Sequence, residues 1–124
     1  MVQELSRLAA RLAEARSGIA RLARLRERVQ AQLTALEQQE VRLGRQAAKA
    51  REFGREDLAQ VAGARQREAQ SQRAELAIQL GQLLDEEAKL TLKARRLRAR
   101  KARIYWFGLQ DQDGEDPFDA SGRP

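Results

Sequence analysis

The chain predicts an all-α fold: a long antiparallel two-helix coiled-coil hairpin that self-associates, followed by a disordered acidic C-terminal tail. Apolar residues recur at seven-residue spacing on both sides of Gly54, the two series mirror each other across that glycine, and both arms are built from Ala, Glu, Arg, Leu and Gln. On the first arm Leu5, Leu12, Ile19, Leu33 and Ala47 hold one position of the repeat, and Leu8, Ala15, Leu22, Val29, Leu36, Leu43 and Ala50 hold the other. This 3-4 spacing keeps one narrow helix face apolar, the condition for knobs-into-holes packing. Arg26 and Glu40 interrupt it. After Gly54 the period returns as Ala62, Ala69, Leu76, Leu83, Leu90, Leu97 and Ile104. Folding at the glycine pairs Leu5 with Ile104, Leu12 with Leu97, Ile19 with Leu90, Leu33 with Leu76 and Ala47 with Ala62, and each pair's residue numbers add to 109. The constant sum follows from setting two heptads antiparallel. The informative part is that the fold point falls on the glycine.

Helix one is expected over about residues 2–53, with Gly18 and Gly44 tolerated inside it at a cost of ~1 kcal/mol each relative to alanine. The turn is expected at 54–55. Gly54 supplies the left-handed conformation that ends helices, and Glu56 and Asp57, with Leu58 after them, open helix two where its positive pole favours acids. Helix two is expected over about residues 56–106, completing a hairpin domain of residues 1–107. Residues 108–124 form the acidic tail: Asp111, Asp113, Glu115, Asp116 and Asp119 stand among Gly114, Pro117, Ser121, Gly122 and Pro124, a composition that favours disorder. Arms of about fifty residues would be roughly 75 Å long at ~1.5 Å per residue. So thin a hairpin buries little area for its length, hence the expected self-association.

Helix two leaves half of the seam underfilled. The positions facing Leu8, Leu22, Leu36 and Leu43 are Lys101, Glu87, Arg73 and Gln66. Those four leucines are therefore expected to be half exposed, either covered by long polar stems or forming a groove that receives another hairpin. Leu25, Leu84 and Leu92 add outward apolar positions.

Composition excludes most chemistry. Only 4% of residues are aromatic, 34% are charged, and cysteine and histidine are both absent. Zinc and haem lose their usual ligands and catalytic triads their base, so neither a cofactor nor an enzymatic activity is expected. No apolar run approaches the ~18 residues a membrane span needs, and the first residues lack a signal-peptide core. A cytoplasmic protein, peripheral at most on the inner face of the membrane, is the expectation. Glu4, Glu14 and continuity with the heptads argue against reading the Arg-rich start as a transit peptide.

The stretch Ala47-Ala48-Lys49-Ala50-Arg51-Glu52-Phe53-Gly54-Arg55-Glu56-Asp57-Leu58-Ala59 resembles the hairpin tip of the phage shock protein A family, which includes the vesicle-inducing protein of plastids. There alanines and a glycine precede Glu-Asp-Leu-Ala. A weaker similarity runs through Leu33 to Glu37, Gln66, Leu76, Leu83 and the segment from Lys93 to Ile104, so it covers about residues 16–104. The resemblance implies a membrane-maintenance protein of the ESCRT-III-like superfamily, whose hairpins stack into rings and rods on anionic membrane. The family's short N-terminal amphipathic helix and its later helices have no counterpart in this sequence. The resemblance thus implies a minimal hairpin that co-assembles with relatives, limits their length, or descends from them with another job.

Lys93, Arg95, Arg96, Arg98, Arg100, Lys101 and Arg103 crowd the last turns of the expected helix two, and folding brings Arg7, Arg11 and Arg16 alongside. Tyr105, Trp106 and Phe107 follow at once. Trp and Tyr prefer the water-lipid boundary, and Lys/Arg near anionic lipid contribute about 1 kcal/mol each, which makes this end, with Tyr105 and Trp106, a candidate anionic-surface anchor. Three other readings compete. In a purely structural one, the cations complement the carboxyl end of helix two and the aromatics close the pin against Met1, Val2 and Leu5. The basic end also suits nucleic-acid phosphate, though without a base-reading motif, and it suits the chain's own acidic tail. Expected partners are further copies of the chain, an anionic membrane surface or another coiled-coil protein, with nucleic acid the least favoured.

Overall fold

A computed structural model describes residues 2–113, with side chains as far as Gly108. It contains two helices, α1 (Val2–Glu52) and α2 (Glu56–Asp113), packed against each other as an antiparallel helical hairpin. Met1 and the acidic segment from Gly114 to Pro124 lie outside the described residues. α1 runs through Gly18 and Gly44 without a break. Glu4 stands in its first turn and Lys49 and Arg51 in its last, each on the favourable side of the helix dipole.

The turn follows from one residue. Gly54 has φ +70°, a region where L side chains are strained. The Gly54 amide donates to the Arg51 carbonyl at 3.0 Å and the Arg55 amide to the Ala50 carbonyl at 2.7 Å. These are the two bonds of a Schellman motif, which satisfies carbonyls the helix end would leave unpaired. The Arg55 carbonyl accepts from the Ala59 amide at 3.1 Å, so α2 begins immediately. Arg55 grips Asp57 with both arms of its guanidinium, Nε to Oδ1 at 3.3 Å and Nη2 to Oδ2 at 3.2 Å. This pairing, reinforced by the Leu58 amide, holds the Asp57 carboxyl below its ordinary pKa. A carboxyl with a depressed folded value adds stability above its unfolded value and loses that contribution as pH falls through the folded value. Asp57→Asn is therefore expected to flatten the acid limb of a stability-against-pH curve, with slightly lower stability at neutral pH, checked by urea unfolding across pH.

Helix two extends beyond its expected end. It continues past Trp106 and through Gly108 to Asp113, so residues 108–113, including Asp111 and Asp113, belong to the helix rather than to the tail. A glycine inside a helix costs about 1 kcal/mol relative to alanine but does not forbid helical dihedrals. The first residue that disfavours continuation outright is Pro117.

The chain divides into two compact units, Met1–Arg21 with Glu87–Pro124, and Leu22–Glu86. In the first, Leu8, Leu12 and Ala15 of α1 form a buried cluster with Ala94 and Leu97 of α2, and Ile19, Leu90 and Ile104 pack against it half-buried. Leu12 and Leu97 thus share one core, as the heptads require. Leu5 is half-buried. In the second unit the buried apolar side chains are mostly small: Ala47, Ala59, Ala62 and Ala69, with Val29 and Leu43. The seam residues Leu33, Leu76 and Leu83 are half-buried.

Gly18 provides a close approach in the first unit. A Cβ there would lie 2.7 Å from Leu90 Cδ2. A Cβ on Gly81 would have nothing within 4 Å. Gly81→Ala is therefore expected to raise stability by about 1 kcal/mol through helix propensity alone. Gly18→Ala should gain less than half of that, because Leu90 must move. Thermal unfolding of the two variants at low protein concentration checks the difference.

Candidate functional site

The seven cations of the candidate anionic-surface site, Lys93, Arg95, Arg96, Arg98, Arg100, Lys101 and Arg103, lie on α2 in an eleven-residue stretch without an acid. All seven are exposed. Seam residues Ala94 and Leu97 are buried between them, so the helix turns its cations outward wherever the seam does not claim the position. Glu4 Oε1 lies 3.7 Å from Arg100 Nη2, both side chains being more than half exposed. An exposed pair of that kind contributes little and does not neutralise the stretch. A groove beside Gly18 is lined by Arg11, Arg21 and Lys93 together with the acid Glu14, so the positive charge continues onto α1 with one carboxylate among it.

Tyr105, Trp106 and Phe107 are all exposed, with Trp106 at 45%. The Tyr105 and Trp106 rings meet edge to face, centroids 6.0 Å apart at 77°. The purely structural reading of this end is corrected on two counts. With α2 running to Asp113, no basic residue stands in its last turn, so the cations do not complement the helix terminus. Val2 is 81% exposed, and the three aromatics do not close the pin against it.

The candidate oligomer groove is corrected as well. Leu8 and Leu43, expected to be half exposed, are 3% and 7% exposed. Leu8 lines a groove together with Gln3, Glu4, Arg7, Arg11 and Arg100, whereas Leu43 lies among Gln46, Ala50, Leu58, Val61, Ala62 and Arg65, mostly apolar neighbours. Leu22 and Leu36 are half-buried, the same standing as seam residues Leu33 and Leu83, so the four leucines do not form a separate face.

The turn residues Gly54, Glu56 and Asp57 are exposed. Arg51 Nε lies 3.7 Å from Glu56 Oε2 across the tip. Phe53, Leu58 and Val61 leave an exposed apolar tip.

One pairing escaped the heptad reading. Glu40, 9% exposed in the middle of the seam, takes Arg73 Nε at 2.6 Å on Oε2 and accepts from Arg73 Nη2 at 3.3 Å on Oε1. The Nε contact is close but poorly aligned, leaving that buried nitrogen without a hydrogen-bond acceptor, so the pair is ionic more than hydrogen-bonded. The signal was present in the numbering. Glu40 faces Ala69 in the register, and Arg73 stands one helical turn beyond it, where a long side chain reaches back over the small one.

Among the described residues no group of three or more His, Cys, Asp or Glu is placed to hold a metal ion, and no helix is long and apolar enough to cross a membrane. Compared with protein-family models, curated proteins and solved structures, the chain matches none.

Proposed function

We propose that this chain is a non-enzymatic, self-associating coiled-coil hairpin that docks on anionic membrane surfaces, in the manner of the phage shock protein A family it resembles, and serves membrane-stress protection or remodelling. One observation carries the reading: seven exposed cations stand beside three exposed aromatics on α2, clear of the helix terminus that would otherwise account for them. Cations at ~1 kcal/mol each near anionic lipid, with aromatic rings that settle at the headgroup level, suit an interfacial anchor. Arg and Lys stems carry the charge outward while the seam stays apolar.

Co-sedimentation with phosphatidylglycerol-containing and with purely phosphatidylcholine vesicles tests it. The expected result is binding to the anionic vesicles alone, weakening as salt rises. Equal partition into both vesicle types at low salt would overturn the lipid reading. The second reading is a coiled-coil adaptor without lipid contact. Val41, exposed over a groove lined by Thr34, Gln38 and Arg45, favours it, and vesicle binding by the isolated chain argues against it.

A further inference from the structure

The face of α2 turned away from α1 carries a second seam. Along that continuous helix, Ala74, Ile78, Gly81, Asp85, Ala88, Leu92, Arg95, Ala99, Ala102 and Trp106 alternate at spacings of four and three, and each is exposed. The intramolecular contacts with α1 use the opposite positions, among them Ala69, Ala94 and Leu97, and the stripe stays exposed among the described residues. Ile78 at 64% and Leu92 and Trp106 at 45% are exposed large apolar residues. A helix that repeats its apolar pattern on two faces is built to pack on two sides.

The residue types identify the occupant. Set the stripe antiparallel against a second copy so that paired numbers add to 180, and Asp85 of each copy meets Arg95 of the other. In the same register three of the four apolar layers set large against small. Trp106 covers Ala74, Ile78 covers Ala102, Leu92 covers Ala88, and Gly81 lies against Ala99. At the edge of the contact Glu75 comes opposite Arg103. Lys89 meets its own copy at the axis, where its long stem reaches water. Sliding by one heptad puts Arg95 against Ile78 or Leu92 and leaves Asp85 facing alanine. A parallel arrangement sets Asp85 against Asp85 and Arg95 against Arg95. Only one register satisfies both charge and size, and a two-fold contact uses each complementary pair twice.

We infer that the outer face of α2 is a homodimer interface: two copies pair antiparallel about a two-fold axis beside residue 90, with Asp85 of one copy against Arg95 of the other. The inference deepens the self-association component of the proposed function, and its test is read separately from the lipid component, with which it shares Arg95 and Trp106. It assigns Arg95 and Trp106 to the copy-copy contact, while Lys93, Arg96, Arg98 and Arg100 remain for an anionic surface. Alanine and glycine dominate the layers, so the dimer is weak and concentration-dependent.

The full chain has no cysteine, which allows a direct test. Gly81→Cys and Ala99→Cys single variants, mixed and oxidised, are expected to give one dominant disulfide-linked heterodimer. In this register two copies of residue 81 stand about 27 Å apart at ~1.5 Å per residue, so neither variant alone should cross-link efficiently. Both sites are exposed, and helicity measured beforehand confirms that the hairpin is intact. By sedimentation equilibrium, Asp85→Arg or Arg95→Asp alone should weaken the dimer by about ten-fold or more, since each places like charges opposite twice, and the double variant should restore it. A chain that stays monomeric at millimolar concentration would overturn self-association altogether. An oligomer in which the mixed variants fail to cross-link, or in which the charge swap fails to rescue, would overturn this interface alone. Vesicle binding by the same proteins is read separately.

Discussion

Arg73→Ala is expected to destabilise the hairpin by about 2 kcal/mol, more than an exposed arginine ordinarily would. The guanidinium is 43% exposed, but the carboxylate it serves, Glu40, is 11% exposed at the side chain and sits in the apolar seam. Removing the cation leaves that charge partly buried without compensation, a loss of about 3–5 kcal/mol in a fully buried pair, discounted here for the solvent that reaches Arg73. Glu40→Leu should behave oppositely. It removes the charge with the need for its partner and fills a seam position that faces Ala69, so stability is expected to hold or rise by about 1 kcal/mol. Urea midpoints for the two single variants and the double variant form a cycle. Equal destabilisation by Arg73→Ala and Glu40→Leu would refute the asymmetry. The pair's value to the molecule then lies partly in register, since the heptad slip that sets Glu40 opposite Ala62 carries it away from Arg73.

The second large effect concerns the basic end. Replacing Lys93, Arg96 and Arg100 together with alanine is expected to reduce partition onto phosphatidylglycerol vesicles by about 100-fold, from three cations at ~1 kcal/mol each. All three are exposed and alanine favours helix, so helicity should be unchanged. Their removal also leaves Asp85, Arg95 and Trp106 in place, and the cross-linking pattern should survive. Undiminished vesicle binding by the triple variant would place the anchor elsewhere.

The hairpin was legible because its information is periodic. Leucine at every seventh position and one glycine at the mirror point define two helices, their direction and their register, and the shared core of Leu12 and Leu97 follows. Two things were harder to read, each for a physical reason. Gly108 looked like a stop because glycine is common at helix ends, yet an isolated glycine only weakens a helix, and α2 continues to Asp113. Leu8 and Leu43 face polar residues across the seam, and pairing each position only with the one directly opposite left two readings open, coverage by long stems or a groove; the fold buries both leucines. The same habit of weighing one residue against the residue directly opposite hid the Glu40–Arg73 pair, whose members are offset by a turn. At the candidate site the cations and aromatics were evident from order along the chain, whereas their exposure required the fold.

The uneven filling of the two units has a dynamic outcome. Each buried leucine contributes about 2 kcal/mol, whereas an alanine methyl gives less than half of that. The unit holding Leu8, Leu12 and Leu97 is thus anchored by larger side chains than the alanine-lined segment around Ala47, Ala59, Ala62 and Ala69. Amide protons of that alanine-lined segment should exchange with solvent deuterium sooner than those around Leu12 and Leu97, through opening that spares the rest of the molecule. Strain on the protein would then be relieved by breathing near the bend, while the arginine-rich ends keep their grip on each other.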